Sequence, residues 1–333
     1  MDFSKELEYV GDISQLFNVK EYVLTGGRAE GEKALDVSTG AGLSFTVLPS
    51  RCMDISHLSL KGVNFSFISP CGHAAPQFYD RQGTGFLRSF TAGFLTTCGL
   101  DTSGPPDDSE GGERPMHGLI NATPAEQFGW SIDISDGVPT LTLRGKMRQA
   151  VLFGEHLWLE RTYTVRYNEN RIHLHDRVYN AAFKPQEHMM LYHFNFGYPL
   201  LCEDTVLNIP SKSVVPRDER AAQGLDRWNK VDEPTQDYAE MCFFHDALAD
   251  ERGIAKMGMF NPRLNMGFEC EYSALTLPCF LEWKMMNKGE YVMGFEPANN
   301  FLGGRAKERA AGRLVTLAAG ESRAYDFDFA FQG

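Results

Sequence analysis

The sequence predicts an all-β fold: a large sandwich of mostly antiparallel strands crossed by long loops. Three observations carry this expectation. Short runs alternating apolar and polar residues recur down the chain, each bounded by a turn signal. No long segment shows a 3.6-residue period; Ala306–Arg313 alone reads as one short helical turn. The 333 residues, 43% of them hydrophobic, suffice for a large core.

Taken in order, residues 1–40 are polar and mixed, with a first strand at Val19–Leu24 and turns at Gly26-Gly27-Arg28 and Gly40-Ala41-Gly42. Leu43–Pro49 and Val63–Ile68 read as strands. Residues 70–115 are rich in glycine, proline and small polar residues, a long loop of the kind that is usually functional or disordered. Its aromatics, Phe78, Tyr79, Phe86, Phe90 and Phe94, argue for ordered loops over a site. From Trp130 to Asn180 the pattern is β, with turns at Asp136-Gly137 and Tyr167–Asn170. His173 and His175 take the polar phase of one strand, as on a solvated face. Further strands are expected at Val206–Ile209, Ser213–Pro216, Glu240–Phe244, Leu264–Tyr272, Thr276–Glu282, Arg313–Leu317 and Ala324–Phe331, with a charged loop at 217–239.

Composition narrows the function. A net charge of −12 disfavours nucleic acid and anionic membrane surfaces as partners. No apolar run approaches the roughly 18 residues of a membrane span. The opening Met1-Asp2-Phe3-Ser4-Lys5-Glu6 lacks the basic and apolar regions of a secretory signal, and the seven cysteines include no CxxC pair. A reducing, cytoplasmic setting with buried thiols is expected. The glycines at 40 and 42 do not form a dinucleotide fingerprint, and no G-x-S-x-G, H-E-x-x-H or P-loop occurs. No cofactor or metal is expected, and an oligomer is possible but not indicated.

The most unusual stretch is Met189–Leu201, an apolar run holding His193 and Asn195. At i and i+2 on a strand these share a face. Burying an imidazole and a carboxamide costs free energy unless each is satisfied, so they line either a network or a polar cavity. Glu296, between Phe295 and Pro297 at an apolar strand end, is either a surface carboxylate or a base with a raised pKa. Arg51 and Asp54 read either as an inter-strand ion pair or with Arg51 directed into a site. His117-Gly118, Arg88 in the long loop and Trp283-Lys284 complete the candidates.

On LPSRCMDI (48–55), GFLRSFTAGFLTTCGLDTSG (85–104), His117-Gly118, LYHFNFGYPLL (191–201), Phe295-Glu296-Pro297 and AAGESRAYDFDFAF (318–331), the chain resembles the aldose 1-epimerase, galactose mutarotase-like family. The resemblance implies a β-supersandwich with a cleft on one sheet, as a single domain over 1–333 whose residues 1–40 form an N-terminal extension with the first strands. It further implies a cofactor-free mutarotase that interconverts sugar anomers, with a small-molecule sugar as partner. His193 would be the acid that protonates the ring oxygen, Glu296 the base, and His117 a ring contact. Arg88, Arg51, Lys284 and Asn195 would bind substrate, with one further acid drawn from Asp226, Asp237 or Glu240. The three cations keep open an acidic or phosphorylated sugar, and a non-catalytic sugar-binding module is the other alternative.

Overall fold

The computed structural model describes residues 3–108 and 112–333; residues 109–111 of the long loop, and Met1 and Asp2, lie outside the described residues. The described chain is built on three large antiparallel sheets. An N-terminal five-stranded sheet runs Asn18–Val23, Lys33–Ser38, Leu43–Leu48, Asp54–Leu60, Val63–Asn64. An eight-stranded sheet runs Val206–Asn208, Ile254–Asn261, Met266–Ser273, Ser322–Gln332, Arg171–Asn180, His156–Arg166, Thr140–Ala150, Glu126–Asp133. The third sheet runs Ser211–Pro216, Met241–Ala247, Cys279–Asn287, Glu290–Ala298, Gln186–Phe196, Val315–Leu317, with Leu95–Leu100 also pairing with Gln186–Phe196.

Strand residues obey the period of two that burial demands. In His156–Arg166, Leu157, Leu159, Arg161, Tyr163 and Val165 face inward and the intervening residues are partly exposed. Between the second and third sheets lies an aromatic core. Phe194 meets Phe94, Phe327 and Phe329 with ring centroids 5.7, 5.7 and 5.4 Å apart. Such edge-on pairs add to the burial of large apolar surfaces.

Four differences from the sequence reading have physical causes. Leu95–Leu100 is a strand hidden in the expected loop, because all six of its residues are buried and no alternation shows. Ile254–Asn261 escaped notice because its alternation is broken around Gly258. Val63–Ile68 divides into Val63–Asn64 and Phe67–Ile68. Trp283 and Lys284 lie mid-strand in Cys279–Asn287 rather than at a strand end, so they point to opposite faces.

One buried charge network ties the sheets together. Arg161 lies directly across from Asp176 in register and binds it through Nε and Nη2 at 2.8 and 2.6 Å. Its Nη1 reaches Asp54 of the five-stranded sheet at 2.7 Å, and its Nη2 reaches Thr97 of the third sheet at 2.8 Å. Tyr192 donates its hydroxyl to Asp176 at 2.7 Å, which anchors Gln186–Phe196 to the eight-stranded sheet. Asp54 therefore pairs with Arg161, and the Arg51–Asp54 pair, one of the two readings of the sequence, gives way to this hub.

Removing one partner of such a network leaves uncompensated buried charge. Arg161→Met is expected to cost about 3–5 kcal/mol of stability, read as a lowered urea midpoint. A loss below about 1 kcal/mol would show that the network does not hold the sheets.

Candidate active site

The register of two neighbouring strands builds the centre of the site. Gln186–Phe196 and Glu290–Ala298 pair Leu191 with Ala298 and Phe194 with Phe295, which sets His193 directly across from Glu296. Opposed residues on one face stand within side-chain contact. His193 Nε2 lies 3.2 Å from Glu296 Oε1, and the two residues are only 5% and 3% exposed. Gly294, opposite Asn195, leaves the room they need: a Cβ there would lie 3.0 Å from Trp283 Cβ and 3.1 Å from Glu296 Oε1.

Burial governs the proton. It pushes the Glu296 carboxyl up to about 8, helped by nearby Glu240 and opposed by Arg217. It pushes the His193 imidazole down to about 3, helped by His117 and opposed by Asn195. At neutral pH the pair thus holds one exchangeable proton across its 3.2 Å contact, on the Glu296 side at rest. With Nε2 facing that proton, the ring's own proton sits on Nδ1.

His117 arrives from a different direction. It adopts the left-handed region (φ 59°), and Gly118 follows with φ 75°. A Cβ at 118 would lie 2.1 Å from the Gly99 carbonyl oxygen, so only glycine lets the chain pass there. The His117 ring stands 5.8 Å from the His193 ring, centre to centre. Burial lowers its pKa to about 4, and Nδ1 accepts from the Gly104 N–H at 3.4 Å, which directs the ring's proton to Nε2.

These three side chains line one cavity of about 450 Å³. Its apolar walls are Phe86, Leu87, Phe90, Met116, Trp283 and Leu302. The remaining polar groups are Arg217 and Glu240, which pair at 2.9 Å. Trp283 donates its indole N–H to the other Glu240 oxygen at 2.7 Å. The long loop does lie over this site: Phe86, Leu87, Phe90, Gly104 and Pro105 come from it. Among the described residues no three His, Cys, Asp or Glu side chains gather as a metal site, and no helix is long and apolar enough to cross a membrane. All seven cysteines are free, and all but the half-buried Cys71 are buried.

The other expected ligands lie elsewhere. Arg88 extends outward, its side chain 77% exposed and 3.9 Å from Asp80. Arg51 is buried but serves the scaffold, donating to the carbonyls of Asn121, Ala74 and Ser89. Lys284 occupies the strand face opposite to Trp283 and binds Asp232 at 2.8 Å. Asn195 shares the face of His193, but its amide donates to the His193 carbonyl at 2.8 Å, so it holds the strand backbone rather than lining the cavity. Of the three candidate acids, Glu240 lines the cavity, whereas Asp226 and Asp237 are exposed. Sequence reasoning missed Arg217. It follows Pro216 at a strand end, and its backbone N–H bonds the Cys242 carbonyl of the adjacent strand. That strand-end position was its one distinguishing signal within a charged stretch.

No curated protein matches the chain. Among solved structures, one from Klebsiella pneumoniae, provisionally named an aldose 1-epimerase, aligns with a TM-score of 0.91 at 27% identity, over 99% of this chain and 86% of that one. A galactose mutarotase-like protein from Clostridium acetobutylicum aligns at 0.67 and 13% identity, over 96% and 99% of the two chains. A galactose 1-epimerase from Lactobacillus acidophilus aligns at 0.57 and 14% identity, over 95% and 99%. The fold is thus galactose mutarotase-like, as the resemblance in sequence implied. The family model described as a domain of unknown function, DUF4432, matches residues 29–331, and the chain belongs to that family.

Proposed function

We propose that this protein is a cofactor-free mutarotase, interconverting the α and β anomers of a sugar by acid–base ring opening. The observation that carries this reading is the buried His193–Glu296 contact facing a cavity open to solvent on one side. Anomer exchange requires that the C1 hydroxyl lose its proton while the ring oxygen gains one. The ring opens to the aldehyde, the C1–C2 bond rotates, and closure on the other face reverses both transfers.

A pair that shares one proton balances this chemistry. The proton passes from Glu296 to His193 across the 3.2 Å contact. Glu296 is then a carboxylate able to take the C1 proton, and His193 is an imidazolium able to protonate the ring oxygen. His117, with its proton on Nε2, is a donor to a sugar oxygen. Glu240 keeps negative charge near Glu296 and so holds the shared proton in the pair.

An acidic or phosphorylated sugar is disfavoured, because Arg51, Arg88 and Lys284 do not converge on the cavity. The cavity's own cation, Arg217, is already committed to Glu240, to Asp218 at 2.8 Å and to the Cys242 sulfur at 3.0 Å.

Glu296→Gln and His193→Asn are each expected to lower kcat/KM for anomer exchange by about 10²–10⁴-fold, measured by exchange NMR on a panel of sugars. Absence of exchange by the wild type across that panel, or full activity of Glu296→Gln, would refute the mutarotase reading.

The pair's proton also sets the pH profile. Glu296 loses it as pH rises through about 8, so kcat/KM should fall above that value. A second proton is gained only near pH 3, so no loss is expected around the usual histidine value of 6.5. A rate that climbs through pH 8, or one that falls as pH drops through 6.5, would contradict the shared proton. The same raised pKa affects stability. The folded state holds a proton that an unfolded carboxyl releases near 4.5, so this contribution is complete below 4.5 and is lost as pH rises through about 8. Wild type should therefore lose stability relative to Glu296→Gln over that window in urea titrations, and parallel curves would count against it.

A further inference from the structure

The walls of the cavity carry information about which sugar it holds, an inference that rests on the mutarotase reading. Polar groups are few, and most are already bonded to protein. Arg217 and Glu240 hold each other, both Glu240 oxygens have donors, and the Trp283 N–H is one of them. His193 Nε2 and Glu296 Oε1 face each other. What remains is largely apolar: Phe86, Phe90, Met116 and Trp283 form one continuous cluster, flanked by Leu87 and Leu302.

Chemistry fixes how a pyranose must lie against these walls. C1 and the ring oxygen belong at His193 and Glu296. The other carbon bonded to the ring oxygen is C5, so its substituent, C6, is brought close to the group that protonates the ring oxygen. That group is His193, flanked by the Phe90 and Trp283 rings with centroids each 5.4 Å from the imidazole. A hydroxymethyl group on C5 would there lose water without gaining a partner, which is unfavourable. A methyl group would instead bury apolar surface against two aromatic faces, which is favourable.

We propose that the substrate is a neutral 6-deoxyhexose, with its C6 methyl seated between Phe90 and Trp283. The sugar's other hydroxyls would meet His117 and the exposed edges of Arg217 and Glu240, whose side chains stay 29% and 41% exposed despite their mutual pairing.

The test is anomer exchange with configurationally matched pairs: D-fucose with D-galactose, D-quinovose with D-glucose, and L-rhamnose with L-mannose. In the pair whose configuration fits, kcat/KM for the 6-deoxy sugar should exceed that of its parent by about tenfold or more, the factor carried by one buried hydroxyl without a partner. Phe90→Tyr, which places a hydroxyl on that wall, should narrow the ratio even if overall activity falls. Parent hexoses turned over as well as or better than their 6-deoxy partners would overturn the inference while leaving the mutarotase reading intact, and an unchanged ratio in Phe90→Tyr would overturn the assigned wall. Exchange of none of the six sugars, with a wider panel equally inert, would instead remove the mutarotase reading itself.

Discussion

The site depends on one constraint, the antiparallel register of Gln186–Phe196 against Glu290–Ala298. Side chains alternate faces with a period of two, so a slip of one residue would turn His193 into the core and Tyr192 into the cavity. The core face prevents that slip. Tyr192 is tied to Asp176, Phe194 sits among four aromatic rings, and His188 bonds the Leu100 carbonyl and the Tyr325 hydroxyl at 2.9 and 2.8 Å. Odd-numbered positions inherit their placement from these even-numbered anchors. The aromatic core and the Arg161 hub therefore position the site as well as stabilise the sandwich.

Burial then sets the charge state of the pair. In water a carboxyl and an imidazole would both be charged between roughly pH 4 and 6.5. Buried between strands and loops, each is pushed toward its neutral form. The surrounding polar groups complete this arrangement. Glu240 favours the proton's retention, while Arg217 answers Glu240 and keeps the cavity from accumulating negative charge.

Much of this was legible in the sequence, unevenly. Hydrophobic alternation exposed the strands that have one wet face, and it failed for Leu95–Leu100, which is covered on both sides. His193 and Glu296 stood out because an apolar context makes a polar residue conspicuous, and His117 because it came with the family resemblance. Their meeting depended on register, which single-strand patterns do not encode. The cations failed for related reasons. Arg51 sits in a turn where no alternation assigns a face, and its guanidinium satisfies buried carbonyls instead of substrate. Lys284 was misplaced because the strand was read as ending at Glu282; continued to Asn287, its phase points away from Trp283. Arg217 was hidden among the solvated charges of 217–239 and became visible only through its partner across the sheet.

The claim on which everything else rests is that His193 and Glu296 share a single proton. Nitrogen-15 NMR of the histidine rings between pH 5 and 9 reads this directly. If the proton is shared, His193 keeps a neutral-imidazole signature through the usual histidine range, shifts near pH 8 as the Glu296 side loses the proton, and no longer shows that shift in Glu296→Gln. An ordinary titration of His193 near 6.5, unaffected by Glu296→Gln, would contradict it.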